Sequence, residues 1–130
     1  MAGSFSDYLE DKLLKHAFTN TSYTPAATMY VGLYTAAPTD AGGGTQVSGG
    51  SYARVSVAFT VSGTGTLCTN SAAVEFAAAT ASWGTIVAVG VFDASTSGNL
   101  LAWADLAVNK TIDTGDIFRI PAGDLDITLS

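Results

Sequence analysis

The chain has 130 residues, of which 48% are hydrophobic and 12% are charged, and its net charge is −6. This length suits one domain with an attached element, and so large an apolar fraction with so little charge excludes a disordered chain. The excess of acidic residues argues against binding to a phosphate backbone, so we expect no nucleic-acid partner.

The cysteine count and the lengths of the apolar runs indicate the cellular compartment in which the protein is made. The single cysteine, Cys68, has no partner for an internal disulfide. No apolar run reaches the roughly 18 residues that a membrane span needs, so we expect no membrane association. Met1–Asp11 is polar and acidic, and it lacks the basic start and apolar centre of a secretory signal. We therefore expect synthesis in a reducing cytoplasm.

An amphipathic helix is predicted at the start of the chain, over Ser6–Phe18, with Ser4 or Ser6 as its cap. Its apolar residues recur at the spacing of one helix face. They are Phe5, Leu9, Leu13 and Ala17, broadened by Tyr8, Leu14 and Phe18. Because Asn20–Pro25 ends the helical pattern, we separate a helix and linker, residues 1–24, from a β domain, residues 25–130.

Beyond Pro25 the apolar pattern becomes that of β-strands. Thr28–Thr35 and Thr85–Phe92 are apolar on both faces, which predicts buried strands, and we expect the second to be central. Tyr52–Val61 alternates strictly between apolar and polar residues and predicts one continuous half-buried strand. Shorter strands are predicted at Leu67–Asn70, Ala73–Phe76, Leu100–Asp105, Ile117–Ile120 and Leu125–Leu129.

The loops complete the prediction of fold class. The Gly-rich segment Pro38–Ser51 has no apolar period and is predicted to be a long exposed loop. Turn signals separate seven or eight short strands at about ten-residue spacing. The predicted fold is therefore mainly β, an antiparallel β-sandwich of Greek-key or jelly-roll type with one N-terminal amphipathic helix.

Residues able to carry catalysis are few. The only histidine, His16, lies toward the end of the predicted helix, and Cys68 lies in a short β segment. A serine or cysteine nucleophile needs a base beside it, and the sequence gives no sign of such a pair. We read His16 as a helix residue favoured by the helix dipole and Cys68 as a small half-buried hydrophobe.

Three acidic motifs have a structural explanation and do not indicate a catalytic or metal site. Asp113 and Asp116 flank a glycine in a turn signature, and Asp124 and Asp126 alternate with apolar residues, as on the outward face of a strand. Asp93–Gly98 resembles the start of a calcium loop, but the acidic ligand at the loop's last position is absent. We therefore predict no catalytic residue, no cofactor and no metal site, and a protein that is not an enzyme.

The aromatic residues leave two alternatives open. Trp83 precedes the most apolar strand and Trp103 lies within another. Such side chains either pack in the core or form an anchor patch at a protein interface. The abundance of small uncharged residues suits either a plain β domain or a surface evolved for assembly, because covering such a surface costs little side-chain entropy.

The order of these landmarks resembles that of a known protein family. The landmarks are Ser4–Leu9, Met29–Thr35, Tyr52–Val55, Trp83–Thr85, Gly90–Asp93, Gly98–Trp103 and Asp113–Asp116. In this order the chain is similar to small structural proteins of tailed bacteriophages, often labelled tail fibre proteins and sometimes resembling head decoration proteins. The resemblance covers nearly the whole chain and implies a virion component that is made in the host bacterial cytoplasm. It carries no active-site residues over to this chain.

Two functional hypotheses follow from the resemblance and the composition. In the first, which the small size, the low charge, the compact β domain and the separable helix favour, the protein is a capsid decoration (cement) protein that binds the outer shell and bridges subunits of the major capsid protein, stabilising the assembled state by mass action. In the second, it is a tail fibre, baseplate or host-adhesion module whose partner is a tail or baseplate protein. In both cases we expect a homo-oligomer.

The candidate interface residues lie mainly on the helix stripe. They are Phe5, Tyr8, Leu9, Leu13 and Phe18, with Arg54 and the Pro38–Ser51 loop as weaker candidates. We expect the stripe to dock either on the chain's own β domain or on a neighbouring copy.

Overall fold

The structure is a computed structural model that describes residues 3–63 and 65–128. Within these residues the chain forms eleven strands and one helix. In chain order they are β1 (Gly3–Phe5), α1 (Asp7–Phe18), β2 (Met29–Ala36), β3 (Thr45–Gln46), β4 (Val55–Val57), β5 (Phe59–Val61), β6 (Leu67–Asn70), β7 (Val74–Glu75), β8 (Gly84–Phe92), β9 (Leu100–Ile112), β10 (Arg119–Ile120) and β11 (Asp126–Thr128). The described strand pairs are all antiparallel. The predicted class, mainly β and antiparallel with an N-terminal helix, is confirmed.

The largest sheet has the strand order β1-β9-β8-β2-β3, and β4 also pairs with β2. Strand β8 lies between β9 and β2, and its residues from Ala88 to Phe92 are all buried. The prediction that Thr85–Phe92 forms a central strand is confirmed. Its sequence lacks a polar face because side chains cover both faces of the sheet there.

The main core lies on one face of this sheet. Side chains alternate along a strand, so Val31 and Leu33 of β2 share this face with Val89 and Val91 of β8. Two smaller sheets, β10-β7 and β11-β6-β5, cover it. The core residues on the side of the smaller sheets include Val74, Phe76, Phe118, Ile120 and Leu125. The layers therefore pack together as in a sandwich.

A pair of facing glycines shapes the opposite face of the large sheet. Gly32 of β2 lies opposite Gly90 of β8. A Cβ at Gly32 would lie 2.8 Å from the Phe92 ring, and a Cβ at Gly90 would lie 2.9 Å from the Tyr34 ring. The two positions need glycine because the stacked rings of Tyr34 and Phe92, 6.2 Å apart, occupy the space above them.

The prediction of one strand over Tyr52–Val61 is wrong. The chain forms two short strands there, interrupted at Ala58, because β4 pairs with β2 of the large sheet whereas β5 pairs with β6 of a small one. The predicted single apolar face is divided accordingly. Val57 is buried in the core, whereas Val61 is 61% exposed.

The strand predicted at Leu100–Asp105 is too short. Strand β9 continues to Ile112, and its residues 106–109 form a bulge between the pairs Ala88–Asp105 and Ile86–Lys110. Because a bulge breaks the regular alternation, residues 106–109 show no strand pattern in the sequence. The prediction ends where the bulge begins.

Two further elements depart from the predictions. The segment Pro38–Ser51 is not wholly an exposed loop, because it contains β3 and places Val47 in the core. Strand β1, which pairs with β9, lies within residues 1–24 and precedes the helix. The other predicted strands are present in shortened or equal form as β6, β7, β10 and β11. Leu129, included in the last predicted strand, and Thr64, within a predicted turn, lie outside the described residues.

Candidate functional site

Helix α1 is fixed to the β domain at its first turn. Ser6 is its N-cap and is buried; its Oγ accepts a hydrogen bond from the backbone N–H of Leu9 at 3.2 Å and donates one to the carbonyl of Leu100. The backbone N–H of Ser6 donates to the carbonyl of Leu101, and that of Asp7 donates to the carbonyl of Asp40, both at 2.8 Å. The start of the helix is therefore held by β9 and by the loop after β2.

An apolar groove lies beside this fixed turn, with a volume of about 220 Å³. We call it the apolar groove. It is lined by Phe5, Leu9, Tyr23, Pro25, Met29, Phe59, Val91, Leu101, Ala102 and Ile127. Leu9 comes from the helix, Tyr23 and Pro25 come from the segment between α1 and β2, and the other lining residues come from six strands of two sheets. Two of the predicted interface residues, Phe5 and Leu9, line it and are half-buried.

The far end of α1 projects into solvent. No residue of the helix is buried, and exposure rises along it from Leu13 at 36% to Leu14 at 60% and Phe18 at 81%. Tyr8 is half-buried, with the Lys12 ammonium 5.5 Å from its ring centroid. The predicted stripe is therefore divided: its first part packs against the β domain, and its second part is available to a partner.

The charges on α1 are separated along the helix. Asp7 and Glu10 lie in its first turn, and Lys15 and His16 lie in its last, as the helix dipole favours. Lys15 contacts Asp11 at 3.0 Å, but both side chains are about half exposed, so this ion pair contributes little. The helix thus presents acid near the apolar groove and base near its exposed end.

Carboxylates also lie around the rest of the groove. Burial raises the pKa of Tyr23, which lines the groove, and the nearby Tyr8 and the carboxylate of Asp93 raise it further. Asp126 precedes Ile127 on β11 and lines a smaller hollow of about 30 Å³ that shares Val91, Ala102 and Ile127 with the groove. Asp126 therefore places a carboxylate near the groove, although the lining of the groove is apolar.

Arg54 is held within the chain. Its Nε donates to Gln46 Oε1 at 2.9 Å, and one of its terminal nitrogens donates to the carbonyls of Ala94 and Ser97 at 2.9 and 2.8 Å. The guanidinium lies 3.6 Å from the centroid of the Phe92 ring. Burial lowers the pKa of Arg54. These contacts connect the segment before β4 to the turn between β8 and β9, and a role of Arg54 in a virion interface stays a prediction.

The two tryptophans differ in their surroundings. Trp83 belongs to the core, where its ring meets Tyr52 and Phe76 edge to face and its Nε1 donates to the carbonyl of Gly50 at 2.9 Å. Trp103 is half-buried on β9, and its Nε1 donates to Asp40 Oδ1 at 2.9 Å. Because the backbone of Asp40 also holds the first turn of α1, Trp103 supports the helix base.

The remaining predicted residues each lie in local structure. His16 is exposed, and its Nδ1 accepts from the backbone N–H of Tyr23 at 3.1 Å, which ties the linker back to the helix. Cys68 is half-buried on β6, and burial raises the pKa of its thiol. Among residues 3–63 and 65–128, no group of three or more His, Cys, Asp or Glu side chains is arranged to hold a metal ion. In the same part of the chain, no helix is both long and apolar enough to cross a membrane.

Two of the three acidic motifs form turns closed by their own carboxylates. The backbone N–H of Asp113 donates to Asp116 Oδ2 at 2.9 Å, and that of Asn99 donates to Asp93 Oδ1 at 2.7 Å. The third differs from the prediction, because β11 begins only at Asp126 and Asp124 lies in the preceding turn. The two carboxylates therefore do not share one strand face.

The apolar groove itself has no signal in the sequence. The sequence predicts Met29, Val91 and Leu101 as ordinary strand residues. It predicts Tyr23 and Pro25 as part of the segment that ends the helix. The groove exists because the linker returns along the β domain and β11 pairs with β6 at its side. Of its lining residues, only Phe5 and Leu9 are among the interface residues that the sequence predicts.

A comparison with known families shows to which family the chain belongs. A family model matches residues 4–128, nearly the whole chain, and it describes structural proteins of bacteriophages of the fibre type. The chain belongs to this family, the Podophage GP4 fiber I protein gp80 family. The resemblance to phage structural proteins that the sequence landmarks indicate is thereby confirmed. A search of the curated proteins found no match to the chain.

Proposed function

We propose that the protein is a fibre-type structural subunit of the phage tail, made in the host bacterial cytoplasm and incorporated into the virion in several copies. The observation that supports this most is membership of the fibre family over residues 4–128. It favours the tail over the head, although the sequence composition alone places capsid decoration first. The partner is then a tail or baseplate protein together with further copies of this chain.

The protein acts in this proposal by contact, not by catalysis. The exposed end of α1 presents Leu14 and Phe18 on one side of the helix, while the first turn is held by Ser6. A large exposed apolar side chain on a rigidly held helix loses little conformational entropy when a partner covers it. Residues 1–24 therefore serve as a docking arm with a fixed base, and Phe18 is the strongest of the predicted interface residues.

Capsid decoration is the second candidate. The observation that favours it is the placement of the helix end away from a compact, weakly charged β body. One copy would then contact two neighbouring shell subunits, through Phe18 on one and through the β domain on the other. Binding only to the assembled shell would stabilise it by mass action.

The two candidates are separated by locating the protein in purified virions. In the tail proposal, electron microscopy of particles carrying a labelled copy shows the label at the tail, and quantitative mass spectrometry gives far fewer copies than of the major capsid protein. In the decoration proposal, the label covers the head and the copy number approaches that of the capsid protein. Removing the protein would then lower the melting temperature of the capsid, whereas unchanged melting supports the tail.

A further inference from the structure

We propose that the apolar groove of one copy receives the side chain of Phe18 from helix α1 of a second copy. The inference rests on the proposed function in so far as the virion must hold copies side by side. The contact itself is a property of the isolated chain and is testable without the virion. It joins two features of the same molecule that are otherwise unconnected, the groove beside the helix start and the exposed helix end.

The size of the groove suits an aromatic ring. An enclosed apolar cavity of about 150 Å³ is enough to bind benzene, and the groove here measures about 220 Å³. A phenyl ring therefore fits, with space left for part of a second apolar side chain. Leu14 lies four residues before Phe18, on the same side of the helix, and is 60% exposed.

A copy does not fill its own groove with its own Phe18. Leu9 lines the groove, and Phe18 lies nine residues further along the same helix, which is roughly 14 Å at the rise of an α-helix. The bonds of Ser6 and Asp7 hold the helix start in place. The occupant must therefore come from a second molecule.

Charge complementarity supports a second copy as that occupant. Asp7 and Glu10 in the first turn of α1 are exposed, on the same helix whose Leu9 lines the groove. The last turn of the helix, which carries Phe18, has Lys15 and His16 as its basic residues, and Lys15 contacts Asp11 one turn earlier through an exposed ion pair. In a chain of net charge −6, docking of this last turn would bring Lys15 toward the two carboxylates at the helix start of the second copy.

The geometry of the contact determines the assembly. Two different surfaces of the molecule meet, so the contact is heterologous and each copy keeps one free groove and one free helix end. Repetition gives a closed ring if the rotation closes and an extended chain of subunits if it does not. A repeated head-to-tail contact suits a component of a fibre-type structure.

Sedimentation analysis of the purified full chain tests the contact, over protein concentrations from micromolar to millimolar. We expect association that rises with concentration, and Phe18→Ala to weaken it roughly 10- to 100-fold because a buried phenyl ring is lost. The matched control is Val108→Ala, which removes another exposed apolar side chain, 72% exposed on the β9 bulge. It should associate like the unaltered chain.

A mixing experiment identifies the second surface. Leu9→Lys places a charge in the groove and leaves Phe18 intact, while Phe18→Ala leaves the groove intact. At a protein concentration at which the unaltered chain has just associated, each variant alone should be largely monomeric, and their mixture should form a one-to-one dimer that grows no further. Thermal melts establish that both variants are folded, and if Leu9→Lys is not, the comparison of Phe18→Ala with Val108→Ala decides alone.

The proposal is overturned if the unaltered chain stays monomeric throughout, if Phe18→Ala associates like the control, or if two folded variants fail to form the dimer. A monomer at all concentrations would show that a second copy does not fill the groove. These outcomes are independent of the proposed function. Labelled protein seen at the tail with no self-association removes only this contact, whereas labelled protein absent from the tail leaves the sedimentation result unaffected.

Discussion

Replacing Ser6 with alanine tests how the helix is attached to the β domain. The Ser6 hydroxyl both caps α1, by accepting from the N–H of Leu9, and donates to the carbonyl of Leu100 on β9. Ser6 is only 2% exposed, so water does not easily replace the lost hydroxyl. We therefore expect Ser6→Ala to weaken the helix and its attachment together.

The magnitude follows from these two bonds. Loss of a serine N-cap costs about 1 kcal/mol, and loss of the second hydrogen bond, to the part-buried carbonyl of Leu100, costs about 1 kcal/mol. The free energy of unfolding should fall by about 2 kcal/mol. For a domain of this size that corresponds to a decrease in melting temperature of roughly 6–8 °C.

Urea denaturation followed by circular dichroism and differential scanning calorimetry measure this change. The matched control is Ser4→Ala, since Ser4 Oγ donates only to the adjacent carbonyl of Phe5, and we expect less than about 0.5 kcal/mol there. If Ser6→Ala lowers the free energy of unfolding no more than Ser4→Ala does, the cap does not hold the helix. That result would contradict the proposal of a docking arm with a fixed base.

Three further predictions concern single positions in the β domain. Asn70→Ala should lower the free energy of unfolding by about 3 kcal/mol, because this buried amide makes three hydrogen bonds to the backbone; urea denaturation measures it, with the exposed Asn109→Ala as control. Arg54→Lys should lower the free energy of unfolding by about 1–2 kcal/mol, because lysine lacks the planar guanidinium that bonds Gln46 and the β8–β9 turn together. Hydrogen exchange should then be faster in the backbone of that turn. The Cys68 thiol should react with iodoacetamide more slowly in the folded protein than in urea at pH 8, because burial raises its pKa and keeps it protonated; equal rates would contradict that burial.

The elements that the sequence predicts well are those whose pattern is local. The helix over Asp7–Phe18 has its period, its acidic start and its basic end within one segment, and β8 is a continuous β-branched run. Each pattern reflects the side chains' own environment along a single element. Both elements are therefore close to the predicted bounds.

The errors arise where pairing between distant segments decides the structure. The alternation of Tyr52–Val61 suits one strand, but the chain changes sheets at Ala58 because two different partners are available. The bulge of β9 and the two-residue strand β3 likewise depend on neighbours and leave no period in the sequence. A tertiary interaction overrides a local preference in all three places.

For the same reason, the sequence predicts only one part of the candidate site. The apolar stripe of α1 is readable from its spacing, but the spacing does not state which end of the helix packs and which end projects. That division is decided by Ser6 and by strand β1, which pairs with β9 and brings the helix start against the β domain. Once the base is fixed there, the helix axis leads Phe18 away from the core, and an apolar side chain selected for burial remains exposed. Exposed apolar side chains that lie together, as Leu14 and Phe18 do, are typical of interaction surfaces. In the proposed function, the attachment of the helix base is therefore the feature that turns an ordinary amphipathic helix into a docking arm.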